Sequence, residues 1–177
     1  MPNLPPLSLY LHIPWCVQKC PYCDFNSHAL KGEVPHQDYV DHLLADLSHD
    51  LPLTSGRAGN TLFIGCGAHG KLTQPDGTVL RTVKTRHPRG YMQGNYLAKR
   101  YPVAPADLPF EYFMNRFRLL EAAPRAEFIA FTGLAETTVR PALDQALAVG
   151  YISESDSHWQ VTDKGKLFLN SLLELFM

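Results

Sequence analysis

The stretch YLHIPWCVQKCPYCDFN, residues 10–26, holds three of the chain's four cysteines at spacings of four and three. Working outward, LSLYLHI (Leu7–Ile13) alternates in character and is rich in strand formers, so it predicts a strand that delivers the chain into the cysteine loop. Beyond the loop, PHQDYVDHLLADLSHD places Val40, Leu43, Leu44 and Leu47 at i, i+3, i+4 and i+7, the pattern of a helix with one buried face. NTLFIG (Asn60–Gly65) is a second short apolar run. Strand, long loop, helix, strand predicts a right-handed parallel crossover and an α/β class. Such a unit normally belongs to a larger sheet, because two strands and one helix leave a sheet face and both edges open. Here the chain continues instead into GCGAHGKLTQPDGTVLRTVKT, where Asp76-Gly77 between two β-prone runs predicts a hairpin. A Pro-rich linker between Pro102 and Pro109 then marks a domain boundary.

The C-terminal part is mainly helical. Asp107 is placed to cap a helix with Phe110, Phe113, Met114, Phe117 and Leu120 on one face. RAEFIAFTGL is a short helix stopped by Gly133, and AETTVRPALDQALAVG is a third ended by Gly150. YISESDSHWQVT supplies two short strands around a polar turn, and DKGKLFLNSLLELF a closing amphipathic helix. That order is the order of a winged helix. The organisation expected is therefore 1–65, an α/β segment with the cysteine loop; 66–104, a basic hairpin and linker; and 105–177, a winged-helix domain.

A chain of 177 residues with 45% hydrophobic content can bury a core. Its N-terminus has no basic side chain before an apolar run, and no run approaches the roughly 18 apolar residues of a membrane span, so a cytoplasmic protein with no membrane span is expected. The net charge of −1 hides an uneven layout. Residues 71–100 carry seven Lys/Arg against one Asp/Glu, while residues 101–177 carry six against ten. In the basic stretch Arg81, Lys84, Arg86, His87 and Arg89 are candidates to meet phosphates or carboxylates, and a solvated hairpin is the plainer account. A winged helix also raises DNA binding, but an acidic C-terminal part, with Arg140 set against Glu136 and Asp144 on the third helix, would repel phosphates, so no nucleic-acid partner is expected.

Closely spaced cysteines in a reducing compartment point to a metal or cluster rather than to structural disulfides. A structural zinc site closes with four ligands, usually two Cys-x-x-Cys pairs. Only three are local here. A [4Fe–4S] cube held by three thiolates leaves one iron open, and the amino and carboxylate groups of S-adenosylmethionine (SAM) suit that vacancy. Zinc stays open as the alternative, with Cys66, His12, His28 or His69 as a fourth ligand.

Residue by residue, YLHIPWCVQKCPYCDFN resembles the signature Tyr-x-His-Ile-Pro-aromatic-Cys-x-x-x-Cys-x-aromatic-Cys of the radical-SAM proteins related to oxygen-independent coproporphyrinogen III oxidase. The resemblance implies that Cys16, Cys20 and Cys23 hold a [4Fe–4S] cluster, and that Tyr10, Tyr22 and Gly65 contact SAM. Trp15 would shield the cluster. The oxidases carry a further cysteine two positions after the last cluster ligand, where this chain has Phe25. CDFNSHALKGEVP is similar instead to the heme-chaperone branch of the family, which implies heme as cargo and a heme-acceptor protein as partner. An oxidase-like enzyme and a non-catalytic zinc or iron–sulfur module remain the alternatives.

The resemblance breaks after Gly65. The family's Gly-Gly-Gly-Thr-Pro loop is absent, and so is its heme-associated His-Asn-x-x-Tyr-Trp stretch. IGCGAHGK resembles a segment that in the family lies far downstream, and from there the family pattern resumes. A full α/β barrel needs roughly 200 residues or more, so the expectation is a partial radical-SAM barrel joined near Ile64-Gly65 by an internal deletion. Weak or absent SAM cleavage and impaired heme binding follow from that expectation. Cys66 and His69 are candidate extra ligands that the downstream resemblance also accounts for.

Overall fold

The structure is a computed structural model and describes residues 9–21, 23, 25–54 and 62–177. Two compact units divide between Pro102 and Val103.

The first unit begins with β1 (Leu9–Leu11), β2 (Trp15–Cys16), β3 (His28–Ala29), α1 (His36–Asp50) and β4 (Leu62–Ile64). β1 and β4 pair in parallel, Leu9 opposite Leu62 and Leu11 opposite Ile64, so the expected parallel strand pair connected through a helix is present. Leu7 and Ser8 of the expected first strand, and Asn60 and Thr61 of the second, lie outside the described residues. The cysteine loop is held at its ends by an unforeseen pairing of β2 with β3, Trp15 opposite His28 and Cys16 opposite Ala29. Two strands of two residues each have no periodicity to read.

α1 buries a different face from the one its leucines predict. Tyr39, Leu43, Asp46 and Asp50 turn inward, while Val40 and Leu44 are 45% and 58% exposed. The reason lies in the next elements, β5 (His69–Thr73), β6 (Val79–Lys84), α2 (Pro88–Tyr91) and β7 (Leu97–Pro102). Lys84, at the end of β6, is fully buried, and its ammonium meets Asp46 Oδ1 and, at 2.7 Å, Asp50 Oδ2. Asp46 Oδ2 also accepts from Tyr91 Oη at 2.6 Å and from the Gly65 N–H at 3.1 Å. A buried ammonium left without partners carries a large penalty, so the helix face that bears Asp46 and Asp50 is the one that turns toward Lys84. Lys84 is thereby removed from the cations available to an outside anion, a correction to its candidacy for carboxylates.

The hairpin forms as expected, with β5 antiparallel to β6 and the Asp76 carboxylate accepting the Thr78 N–H at 2.9 Å. That bond holds the Asp76 carboxyl below its usual range. β7 adds a third antiparallel strand where only a linker was expected, with Arg81 opposite Tyr101. The basic segment therefore belongs to the same compact unit as the cysteine loop. Its core gathers Tyr39, Leu43, Ile64, Cys66 and Tyr91, with Trp15 and Leu47 packed against it.

The second unit contains α3 (Leu108–Arg116), β8 (Ala123–Pro124), α4 (Arg125–Thr132), α5 (Arg140–Val149), β9 (Ile152–Glu154), β10 (His158–Val161), α6 (Asp163–Leu167) and α7 (Leu169–Glu174). β8, β10 and β9 form an antiparallel sheet in that order, one strand more than expected. Phe113, Phe128, Leu143, Trp159 and Leu172 are its fully buried centre. Gly133 and Gly150 end α4 and α5 in the left-handed region, as expected of C-terminal glycines. Three details differ. Asp107 precedes α3 but makes no side-chain cap, since a 3-10 turn at Pro105–Asp107 leads into the helix. Leu120 lies past the end of α3 and is 79% exposed. The closing helix is broken at Phe168 into α6 and α7.

Candidate functional site

Cys16 ends β2 and is half-buried, Cys20 is exposed, Cys23 is half-buried, and all are free thiols. The Cys23 N–H donates to the Cys20 carbonyl at 3.1 Å, and Cys23 Sγ lies 3.8 Å from Ser27 Oγ. The donor chemistry fits a three-thiolate cluster, since three accessible soft ligands sit on one short loop anchored at both ends. Among the described residues no group of three or more His, Cys, Asp or Glu is arranged to share a metal ion.

The other expected contacts scatter. Tyr10 is exposed on β1, its ring 5.4 Å from that of Phe63 and its hydroxyl 3.1 Å from His12 Nδ1. Tyr22 lies outside the described residues. Gly65 is interior, with its N–H on Asp46 and its carbonyl accepting the Ala68 N–H at 3.0 Å. At φ +105° a side chain there would be strained, and a Cβ would lie 2.3 Å from the His12 carbonyl oxygen. Trp15 packs edge-on against Tyr39, ring centres 4.6 Å apart.

Cys66 is fully buried, and its Sγ–H donates to the Arg86 carbonyl at 3.1 Å. Burial pushes its thiol up to about 11, which favours the protonated form in the folded core. His69 lies on β5, where burial and the nearby Arg81 and Arg86 hold it below its ordinary value.

Sequence reasoning missed the latch around Asn26 and Tyr39. Asn26 Nδ2 donates to the carbonyls of Cys66 at 3.1 Å and Arg86 at 3.0 Å, while its own carbonyl accepts from His12 Nε2 at 2.9 Å. Tyr39 Oη donates to the His12 carbonyl at 2.8 Å and accepts the Cys66 N–H at 2.9 Å. These bonds join the far end of the cysteine loop to the segment after β4. Asn26 stands inside the signature, but only the folded contacts reveal its partners.

Beside the loop lies a cleft of about 570 Å³ lined by Trp15, His28, Lys31, His87, Pro88 and Arg89. His28 Nε2 is 3.2 Å from the Arg86 carbonyl, and the His28 and His87 rings are 5.9 Å apart.

Residues 103–168 match the family described as the HemN C-terminal domain. The heme chaperone HemW of Escherichia coli (strain K12) is 33% identical over an alignment of 376 positions that spans 100% of both chains. With 177 residues, this chain fills fewer than half of those positions, so the remainder faces internal gaps. Oxygen-independent coproporphyrinogen III oxidase of the same organism is 37% identical over 62 residues, 35% of this chain and 14% of that protein. The solved structure of E. coli coproporphyrinogen III oxidase, a radical SAM enzyme, overlaps with a TM-score of 0.48 at 16% identity, covering 67% of this chain and 29% of that one.

Proposed function

The chain belongs to the HemW family, and from that premise we propose that it binds heme and passes it to an acceptor protein in the cytoplasm, without oxidising coproporphyrinogen. The observation that carries this choice is coverage: the alignment with the E. coli heme chaperone spans the whole chain, whereas that with the oxidase of the same organism covers 35% of it. Phe25, 67% exposed at the position of the oxidases' additional cysteine, supports the same choice. In this proposal residues 1–65 are a remnant of a radical-SAM barrel, residues 66–104 a basic connector, and residues 105–177 a winged helix. Arg140 of α5 is engaged by Glu154 and Asp144 at 2.7 Å each, which leaves that helix poorly suited to phosphates.

Cys16, Cys20 and Cys23 would hold a [4Fe–4S] cluster, which when reduced supplies an electron to the sulfonium of SAM at its open iron. For SAM itself the chain offers little. Tyr10 presents an exposed ring, and both backbone polar groups of Gly65 are already bonded inside the protein. Few groups exclude water around such a ligand, so cleavage is weak or absent. Among the described residues no helix is long and apolar enough to cross a membrane.

Anaerobic reconstitution with iron and sulfide, read by electron paramagnetic resonance with and without SAM, tests the cluster. Hemin titration and a coproporphyrinogen assay test the function. A cluster signal, saturable heme binding weaker than that of E. coli HemW, and no 5′-deoxyadenosine above background are expected. Bound zinc without a cluster signal refutes the radical-SAM assignment, and turnover of coproporphyrinogen refutes the chaperone.

A further inference from the structure

The cleft beside the cysteine loop brings together two imidazoles, an indole and two cations, and its four charged or imidazole side chains take no part in the buried Lys84–Asp46–Asp50 network. Its two histidines have opposite polarity. A carbonyl can only accept, so His28 Nε2 carries the hydrogen in its 3.2 Å contact with the Arg86 oxygen. That leaves Nδ1 of neutral His28 with a free lone pair. An imidazole whose other nitrogen donates to a backbone carbonyl is held in the manner of a metal ligand, with its tautomer fixed. His87 is the reverse: its Nδ1 accepts the Arg89 N–H at 3.3 Å, so Nε2 of the neutral ring is a donor. Lys31 and Arg89 are exposed and present two positive charges at the same cleft. Trp15 supplies a flat apolar wall. A ring nitrogen with a free lone pair, an aromatic side chain, an N–H donor and two cations match a planar metalloporphyrin with two carboxylates, and about 570 Å³ suits its size.

We propose that this cleft is the heme site of the chain, with His28 as the axial ligand to iron and with Lys31, His87 and Arg89 receiving the propionates. It builds on heme binding as the function proposed above and assigns a location on residues that are all present here. Binding there places the cargo beside the cysteine loop, because His28 pairs with Trp15 directly before Cys16.

Hemin titration of the full chain, read in the Soret band, tests it. The native chain is expected to show a saturable shift. His28→Ala lowers affinity at least about ten-fold and removes the shift, and added imidazole restores it. Arg89→Gln and Lys31→Gln each weaken binding about two- to five-fold without changing the band position. Iron-free protoporphyrin binds the native chain and His28→Ala alike. Should His28→Ala lose its fold by circular dichroism, His28→Met replaces it and is expected to give a thioether-ligated spectrum. A native chain that binds hemin while the folded His28 variant keeps its affinity and spectrum overturns the site and leaves the heme-binding function standing. A native chain with no saturable shift overturns that function as well.

Discussion

Replacing Lys84 by methionine removes the buried ammonium that pairs with both Asp46 and Asp50 in the interior of the first unit. The three side chains are 0%, 0% and 3% exposed, so the loss cannot be made good by solvent. Asp46 keeps the Tyr91 hydroxyl and the Gly65 N–H, but among the described residues Asp50 keeps a 3.6 Å approach of His49 to Oδ1, beyond hydrogen-bond range. Breaking a buried pair while leaving its partners charged costs about 3–5 kcal/mol. A domain of this size has about 5–15 kcal/mol in all, so Lys84→Met should come close to unfolding the unit. Lys84→Met/Asp50→Leu removes the worst-placed orphan too, and should recover about 1–3 kcal/mol relative to the single variant. Cys66 is a reporter confined to this unit, because it is buried in the same core. Pulse alkylation of Cys66 across a urea titration, read by mass spectrometry, gives the unfolding free energy without interference from the second unit. A loss below about 1 kcal/mol for Lys84→Met, the value of a solvated surface pair, would refute a dry ionic core.

Gly65→Ala should destabilise the same unit by more than about 1 kcal/mol, since a left-handed backbone and a carbonyl contact both oppose the methyl group; an unchanged urea midpoint for Cys66 alkylation would count against the tight junction. Because the folded Cys66 thiol is raised from 9.0 to about 11, its contribution is fully present below pH 9 and is lost as pH rises from 9 toward 11. Comparing native and Cys66→Ala stability over that range should show the extra alkaline loss only in the native chain. In the second unit the hydrogen bond from Arg140 holds the Glu154 carboxyl below its ordinary 4.5, so that contribution is complete above pH 4.5 and declines as pH falls below it. Arg140→Met should lower stability by about 1 kcal/mol at pH 7 and flatten this acid limb, followed by fluorescence of the buried Trp159; equal acid limbs would refute the pairing.

Periodicity carried the strong local signals. The α1 span, the hairpin around Asp76-Gly77 and the glycine stops at Gly133 and Gly150 could all be read because each depends on a few consecutive residues. β2, β3 and β8, two residues long, could not, since their pairing depends on partners remote in the chain. The inward face of α1 was misjudged because hydrophobicity counts Val40 and Leu44 as core and Asp46 and Asp50 as surface, and takes no account of a cation arriving from β6.

For the candidate site the division is similar. By itself the sequence determined the three-thiol loop, its family resemblance and the break after Gly65, because spacing and residue type are properties of a contiguous segment. Only the tertiary structure decided that Lys84 is an interior cation, that Gly65 is committed to Asp46, and that His28, Lys31, His87 and Arg89 share one cleft. Those residues lie up to 61 positions apart, and what unites them is the packing of β6 and α2 against α1 and the cysteine loop, a long-range outcome of burial and charge pairing.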